Sequence, residues 1–344
     1  MTYLLYNESN KYILNKLLGA GLTCKCFLGQ KILSPSKYSE LFAIKIFPQK
    51  FHEYYLNEAN ILSKLSSNNN LIKLYEHGQG YIEPLSENNK LENTNEINDK
   101  ENQTNSESNI KIDKEKIFFS VMEYIPNGEL KDYVQGTSTR IPEKISAKIF
   151  ANIALTVKYL HGKNIAHCDI KPENILMNNK YRPILNDFGF SHFFETKNGD
   201  YTLHKFAGSV IYSGPETRKA YTKGFDALKN DIFSLGILLF VITIGDFPFQ
   251  KASYSDYKYR YIIKRNYAKF WEHFNYIEIS DEFKDLINKL ICITPSQRLD
   301  IDKVLDHPWL KKYINICNKD DNKIEIGDNY VDDDVFNEFN SRKD

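Results

Sequence analysis

The chain has 344 residues with 45 basic and 45 acidic side chains, so its formal net charge is zero. This balance excludes a protein-wide basic field of the kind that binds nucleic acid, and 42% hydrophobic residues exclude a fully disordered chain. The length allows one large domain, or a two-lobed unit with a tail.

The five cysteines are scattered along the chain and odd in number, which does not indicate a disulfide framework. We therefore expect a reducing, intracellular and cytoplasmic location. Cys24 and Cys26 have no second Cys or His pair nearby, which argues against a zinc site. The first residues lack the pattern of a signal peptide, and the longest apolar run, 235–244, is too short to cross a bilayer. We expect neither a membrane nor a nucleic acid as a partner.

The first part of the chain predicts a small sheet and one helix. Residues 52–65 have an apolar face at helical spacing. Gly19 and Gly21 lie in a glycine-containing stretch that ends at Cys26, and glycines let backbone N–H groups approach phosphates closely. Strands are predicted where apolar residues alternate or cluster, at residues 12–19, 41–47, 71–75 and 117–124.

Two segments have a composition that is unsuited to a packed core. Residues 83–115 are rich in Asn, Glu, Lys and Ser, and they predict a disordered insertion in a hairpin, a tolerated loop expansion rather than a docking site. Residues 311–344 carry nine acidic and six basic side chains, and they predict an acidic, flexible tail.

The central part predicts a long helix that begins at Pro142 and ends at Gly162. Two motifs follow it in order. Residues 167–174 read His-Cys-Asp-Ile-Lys-Pro-Glu-Asn, and residues 186–189 read Asn-Asp-Phe-Gly.

Together these motifs resemble the catalytic loop and D-F-G segment of eukaryotic protein kinases of the serine/threonine type. The resemblance covers residues 12–310: residues 19–26 are similar to the glycine-rich loop of that family, and residues 214–216 to its A-P-E motif. Lys-Pro-Glu-Asn-Ile-Leu at 171–176 and His-Pro-Trp-Leu at 307–310 resemble the calcium/calmodulin-dependent group.

The resemblance implies an α+β, bilobal fold. A small lobe, residues 12–124, would contain a five-stranded antiparallel sheet and one helix. A large, mostly helical lobe would follow at residues 125–310. ATP and Mg²⁺ would bind between the two lobes.

The resemblance also implies the catalytic roles. Asp169 would orient the attacking hydroxyl and accept its proton, and Lys171 would neutralise charge on the transferred phosphate. Asn174 and Asp187 would hold Mg²⁺. The hydroxyl of Ser209 would bridge Asp169 and Lys171, which favours serine or threonine as the acceptor over tyrosine.

An ATP site is implied in the same way. Lys45 would contact the α- and β-phosphates and pair with Glu58, while the Glu123 carbonyl and the Ile125 N–H would bond the adenine. Glu129 would contact the ribose. The residues implied in nucleotide binding are Gly19, Gly21, Cys26, Ala43, Lys45, Glu58, Glu123, Ile125, Glu129 and Leu176.

Two further contacts are implied by the family pattern. Asp231 would brace the backbone of the catalytic loop. Arg298 would form a buried ion pair with Glu216.

Cys168 is the most informative departure from the pattern. Relatives carry an arginine there that binds an activation-segment phosphate, and a thiol cannot make charge-assisted hydrogen bonds to phosphate. We therefore predict activity that does not depend on a phosphate at this pocket, so that replacing every Ser, Thr and Tyr from 191 to 202 by Ala leaves it largely intact.

The function implied is a serine/threonine protein kinase that phosphorylates protein substrates; the substrate identity and the oligomeric state stay open. One alternative is a catalytically weak pseudokinase that acts as a scaffold. The missing third glycine of the loop, at Cys24, and the missing arginine, at Cys168, would favour it. The residues that argue against it are all present: Lys45, Glu58, Asp169, Asn174 and Asp187. Another is a small-molecule kinase. The segment 208–216, which resembles a peptide-binding platform, argues against it.

Overall fold

The computed structural model describes residues 2–34, 37–65, 68–85, 115–134, 140–196, 199–314, 316–319 and 323–326. The chain forms two compact units. The first contains residues 1–63 and 73–124, and the second contains residues 64–72 and the chain from Ile125 onward.

The first unit is an antiparallel β-barrel with one α-helix. Its strands close in the order β1-β2-β3-β4-β6-β5, because β1 pairs with both β2 and β5. Leu5, Tyr12 and Phe119 lie in the fully enclosed core of this barrel. The elements are β1 Tyr3–Tyr6, β2 Lys11–Ala20, β3 Lys25–Ser34, β4 Lys37–Pro48, α1 His52–Lys64, β5 Leu74–Pro84 and β6 Glu115–Glu123.

The predicted α+β class is confirmed, and the five strands predicted within residues 12–124 are β2 to β6. The described part of the sheet has a sixth strand outside those bounds, because Tyr3–Tyr6 adds β1, whose Leu5 is completely buried. The Glu76 carboxylate on β5 helps to fix this end of the barrel. It accepts hydrogen bonds from Asn7 at 3.2 Å, from Asn10 at 2.7 Å and from the Tyr12 hydroxyl at 2.6 Å.

The bounds of two predicted segments also change. The strand predicted at 71–75 begins only at Leu74, since Leu71 instead forms an isolated bridge with Leu185. The predicted insertion is shorter at both ends, because residues 83 and 84 pair with β1 and residue 115 pairs with β5. Residues 86–114 lie outside the described residues.

The second unit is mostly helical in its described part, as predicted. Its helices are α2 Glu143–Gly162, α3 Ala220–Lys223, α4 Ala227–Ile244, α5 Tyr259–Ile263, α6 Tyr267–Trp271, α7 Asp281–Leu290, α8 Ile301–Leu305 and α9 Pro308–Tyr313. Its strands are short and pair in twos: β7 Ile165–Ala166 with β10 His192–Phe193, β8 Ile175–Met177 with β9 Pro183–Leu185, β11 Thr202–Leu203 with β12 Phe225–Asp226, and β13 Ile316–Lys319 with β14 Lys323–Ile326.

Helix α4 is the core element of this unit. The Asp226 side chain accepts a hydrogen bond from Lys229 N at its start, and Gly245 ends it in a left-handed conformation at φ 80°. In the described part of the chain α4 alone is long and apolar enough to cross a membrane, and 89% of it is buried inside the protein. It therefore packs as a core helix does.

The tail begins later than predicted. Helix α9 continues to Tyr313 and Ile314 is buried, so residues 311–314 belong to the folded unit. The pairing of β13 with β14 adds a hairpin that the composition did not predict. The rest of the predicted tail lies outside the described residues.

Candidate active site

The catalytic loop is held by Asp231, at the start of α4. Its carboxylate is fully buried and accepts hydrogen bonds from the backbone N–H groups of His167, at 2.8 Å, and Cys168, at 2.9 Å. Cys168 has a φ of 64°, a conformation that is uncommon for a residue with a Cβ atom. The predicted brace is therefore present, and it holds a strained backbone immediately before Asp169.

Asp169 is buried and oriented from three sides. Its Oδ2 lies 2.7 Å from Lys171 Nζ and accepts a hydrogen bond from Asn174 Nδ2 at 2.9 Å. Its Oδ1 accepts a hydrogen bond from the backbone N–H of Ser209 at 2.7 Å. These contacts fix the plane of the carboxylate, as a base that must meet one particular hydroxyl requires.

Ser209 differs in detail from the prediction. Its hydroxyl accepts a hydrogen bond from Lys171 Nζ at 2.8 Å, but its backbone N–H, not its hydroxyl, contacts Asp169. Any residue with an N–H group can make that second contact. Of its two predicted partners, the side chain of Ser209 therefore contacts Lys171 and not Asp169.

The two predicted Mg²⁺ ligands lie on adjoining backbone segments. Asn186 N donates to Asn174 O at 2.9 Å, and Asp187 follows at a φ of 63°. The amide nitrogen of Asn174 is directed at Asp169, so its oxygen is the atom suited to a cation. A carboxylate and an amide oxygen are ligands that Mg²⁺ accepts, and Mg²⁺ commonly completes its shell with phosphate oxygens and water.

These two ligands alone would not retain a metal ion. No group of three or more His, Cys, Asp or Glu side chains suited to a metal occurs in the ranges described above. The residues present therefore fit a cation that arrives with a phosphate ligand.

Phe188, next to Asp187, is fully buried, with its ring 5.0 Å from that of His167.

In the first unit, the best-defined predicted pair is Lys45 with Glu58. Lys45 Nζ on β4 lies 2.5 Å from Glu58 Oε1 on α1, and both side chains are more than nine-tenths buried. A buried ion pair holds the ammonium group in one place, because loss of either partner leaves an uncompensated charge.

The other predicted nucleotide residues of this unit lie on strands β2, β3, β4 and β6 or in the turn between β2 and β3. Cys26 on β3 is the register partner of Lys45, and Ala43 lies two residues before Lys45 on β4. Gly21 N donates to Cys24 O at 2.9 Å and so closes the turn that joins β2 to β3, while Gly19 has open space around its Cα. Glu123 ends β6.

The remaining three predicted nucleotide residues belong to the second unit. Ile125 is buried, and Glu129 forms an isolated bridge with Leu176 on β8. Burial raises the pKa of Glu129, and although Lys131 lowers it, the nearby carboxylates of Asp132 and Glu173 raise it further.

The segment 190–208 is anchored by strand pairs and an apolar cluster. Strand β10 pairs with β7, and β11 pairs with β12.

Cys168 is buried in a cluster that we call the Cys168 cluster. Burial, followed by the charges of Asp231 and Asp169, raises the pKa of its thiol well above the usual value. The cluster consists of Ala166, Cys168, Phe194, Ala220, Phe225 and Ala227, with Tyr201, Leu203, Phe206 and Leu228 packed against it.

The predicted Glu216–Arg298 pair is present and bidentate. The two guanidinium nitrogens lie 2.6 and 2.8 Å from the carboxylate oxygens. The side chain of Arg298 is fully buried, and its Nε donates to Cys292 O at 2.7 Å. This pair ties residues 214–216 to the C-terminal part of the unit.

Sequence reasoning missed two residues that hold the same segment. Asn230 Oδ1 accepts a hydrogen bond from Gly214 N at 3.0 Å, and Ser234 Oγ donates to Tyr212 O at 2.9 Å. Both lie on α4 beside Asp231. Their polarity within an otherwise apolar helix was the available signal.

Comparison with known proteins agrees with this geometry. A family model described as "Protein kinase domain" matches residues 12–310. CBL-interacting serine/threonine-protein kinase 18 of Arabidopsis thaliana is 29% identical over 303 residues, covering 88% of this chain and 50% of the relative. Serine/threonine-protein kinase kin-29 of Caenorhabditis briggsae is 35% identical over 196 residues, covering 57% of this chain and 22% of the relative.

The chain spans half or less of the length of these two relatives. The family match, by contrast, covers most of the chain, and it includes the catalytic loop, the D-F-G segment and the Lys45–Glu58 pair. The chain therefore belongs to the protein kinase domain family.

Proposed function

We propose that the chain is a serine/threonine protein kinase that transfers the γ-phosphoryl group of Mg·ATP to Ser or Thr hydroxyls of protein substrates. The observation that carries the proposal is the buried Asp169 carboxylate, oriented by Lys171, Asn174 and the Ser209 N–H. Such a carboxylate suits the single proton transfer that this reaction requires.

The side chains divide the work as follows. Asp169 would orient the acceptor hydroxyl and take its proton as the new oxygen–phosphorus bond forms and the bond to the departing ADP breaks. Lys171 would offset negative charge on the transferred group, and Lys45 would hold the α- and β-phosphates. Asp187 and Asn174 would hold Mg²⁺, which supplies charge neutralisation at the phosphates.

Two observations favour a Ser/Thr acceptor on a protein. Lys171 Nζ contacts both Asp169 and Ser209, so the side chains typical of serine/threonine kinases act as one group here. The segment ending at Glu216 is held by Arg298, Asn230 and Ser234, which preserves a fixed platform for a peptide. A small-molecule kinase would not need that platform.

We further propose an intracellular, cytoplasmic setting. The support is that the five cysteines are scattered and odd in number, and that Cys168 and Cys292 are buried free thiols. Structural disulfides are rare in reducing compartments.

The test is transfer of labelled γ-phosphate from Mg·ATP to a generic basic protein. We expect transfer by the wild type and none above background by Asp169→Asn. Asp302→Asn is the matched control, since the side chain of Asp302 on α8 is 69% exposed.

Nucleotide binding, measured in parallel, separates the alternatives. If wild type and Asp169→Asn both bind Mg·ATP and neither transfers phosphate, the scaffold function replaces the enzymatic one. Equal transfer by both proteins would contradict the role of Asp169 as base.

A further inference from the structure

The surface around helix α3 carries basic side chains that the fold itself does not use. Residues 204–223 contain four basic side chains and one acidic side chain. The acidic residue, Glu216, is paired with Arg298, and the basic residue Arg218 donates a hydrogen bond to the carbonyl oxygen of Ala252. The three basic residues that remain are exposed lysines: Lys205, Lys219 and Lys223. We call these three residues the trilysine surface.

The lysines of the trilysine surface have no anionic partner in the described part of the chain. None of their side chains forms an ion pair or a hydrogen bond with a residue that the structure describes. His204 differs, because it lies near a carboxylate. Hydrogen bonds from Thr202 lower the pKa of Asp200, and the charge of His204 lowers it further. We therefore leave His204 out of the group.

Two of the lysines lie one helical turn apart. Lys219 is the N-cap residue of α3 and Lys223 is its last residue, and side chains four positions apart in a helix are neighbours. Tyr221, between them in the sequence, is 76% exposed. Like charges at this spacing repel each other, so an anion that contacts both lysines would relieve the repulsion.

Lys205 lies beside the end of α3 because both of its neighbours contact the chain there. His204 lies against Gly224, where a Cβ atom would be 3.1 Å from the imidazole ring. The ring of Phe206 lies 5.9 Å from that of Phe225. Gly224 and Phe225 directly follow the last residue of α3, so the three lysines share one surface.

The trilysine surface lies within reach of the catalytic carboxylate. Lys205 precedes Ser209 by four positions, and the Ser209 N–H donates to Asp169 Oδ1 at 2.7 Å. Four residues extend over about 14 Å at most. A protein substrate whose hydroxyl meets Asp169 can therefore place a side chain at Lys205 when that side chain is about three to five positions from the acceptor.

We propose that the trilysine surface binds Asp and Glu side chains of the protein substrate close to its acceptor residue. This inference rests on the proposed function and adds the substrate class, which is proteins with carboxylates beside the acceptor Ser or Thr. Unpaired cations on one surface attract such carboxylates and speed the encounter. The surface adds affinity and not chemistry, so a basic protein is still phosphorylated, but with a higher KM.

A protein segment fits this surface better than a nucleic acid does. Nucleic-acid sites commonly neutralise six to ten backbone phosphates, roughly twice or more the number of cations available here. Three exposed ion pairs, each worth roughly two- to threefold in affinity, give about a tenfold preference for an acidic peptide.

Three peptides that differ only in charge test the proposal. Each has one Ser acceptor with Asp, Asn or Lys at the third to fifth positions on both sides, and Ala elsewhere. Binding is measured without nucleotide by fluorescence anisotropy, and phosphate transfer from Mg·ATP is measured in parallel. The wild type should bind the Asp peptide about tenfold more tightly than the Asn peptide, and the Lys peptide least tightly. The preference should appear in KM and not in kcat, and it should shrink at high salt.

The variant Lys205→Glu/Lys219→Glu/Lys223→Glu should reverse this order, with the Lys peptide bound most tightly. A protein that had merely lost its structure could not gain such a preference. Lys180→Glu/Arg260→Glu/Lys264→Glu is the matched control. It changes the net charge by the same amount at three exposed cations elsewhere on this unit and should keep the order of the wild type.

Equal binding of the Asp and Asn peptides by the wild type would overturn the proposal, and so would an unchanged order in the trilysine variant. Binding of a single-stranded DNA as tightly as the Asp peptide would overturn it too, because the surface would then select phosphate chains. Transfer to all three peptides without a preference would leave the proposed function standing. A preference in binding without any transfer would contradict the proposed function instead.

Discussion

The backbone of Gly208 lies directly against the carbonyl oxygen of Cys168, so closely that a Cβ atom on the glycine would overlap that oxygen. The segment after D-F-G therefore passes over the catalytic loop one residue before Asp169. Ser209, the next residue, contacts both Asp169 and Lys171. The absence of a side chain at 208 is thus a requirement of the site.

Gly208→Ala should displace Ser209 from Asp169 and Lys171. We expect phosphate transfer to fall at least tenfold and the free energy of unfolding to fall by about 1–3 kcal/mol, because backbone must move to admit the methyl group. Gly162→Ala is the matched control, since a Cβ atom there meets no other atom within 4 Å. Full activity in Gly208→Ala would show that the close approach is not needed for transfer.

The Cys168 cluster refines the prediction of phosphate-independent activity. Tyr201 donates a hydrogen bond to Asn164 Oδ1 at 2.9 Å, and buried Ser191 donates to His167 O at 3.1 Å, so replacing either by Ala would remove structural contacts. The sharper variant is Thr196→Ala/Tyr201→Phe/Thr202→Ala. Activity should stay within about threefold of the wild type, because Phe keeps the ring of Tyr201 in the cluster and neither threonine is buried. Loss of activity to background would contradict phosphate independence.

The Glu216–Arg298 pair should contribute strongly to stability. Arg298→Ala leaves a carboxylate without its bidentate partner, and the free energy of unfolding should fall by about 3–5 kcal/mol, measured by denaturant titration. The control is Lys303→Ala, which removes the ion pair of Lys303 with Asp300. These two side chains are 71% and 47% exposed, so this substitution should leave the free energy of unfolding unchanged. Equal effects of the two substitutions would mean that the buried pair has no special role.

The Glu76 carboxylate should make the barrel sensitive to acid. Burial raises the pKa of Glu76, but hydrogen bonds from Tyr12, Asn10 and Asn7 outweigh it, and the pKa is lowered. A lowered pKa in the folded state stabilises the protein above the ordinary carboxylate pKa, and this stabilisation is lost as the pH falls through the folded value.

Thermal unfolding of the wild type and of Glu76→Gln at neutral and acidic pH measures this effect. The melting temperature of Glu76→Gln should be lower than that of the wild type at neutral pH. The difference should shrink as the pH falls below the ordinary carboxylate pKa. If the difference in melting temperature is the same at every pH, the loss of stability comes from altered packing or hydrogen bonding rather than from the charge of Glu76.

Local patterns predicted much of this protein, and contacts distant in sequence account for what they missed. Helix α2 lies where the spacing of apolar residues placed it, and Asp231 contacts the loop that its motif implied. Strand β1 has only four residues and is stabilised by partners on β2 and β5, so no local pattern marks it. The contact of the Ser209 N–H with Asp169 is invisible to residue type.

The Cys168 cluster shows the same limit. The sequence showed that an arginine was missing, but not what took its place. Phe194, Tyr201 and Phe206 are separated from Cys168 by between 26 and 38 positions, and only the fold brings them together. Their apolar character is readable from the sequence, whereas their shared location is not.

Because β1 pairs with both β2 and β5, the barrel has no unpaired strand edge among the described residues of the first unit. A version of the chain shortened to the family match would start at Tyr12, lose β1 and expose both edges. Open strand edges recruit strands from other molecules, so the shortened protein should self-associate where the longer one does not. Expression of the kinase domain should therefore keep Tyr3–Tyr6, although the family pattern does not include them.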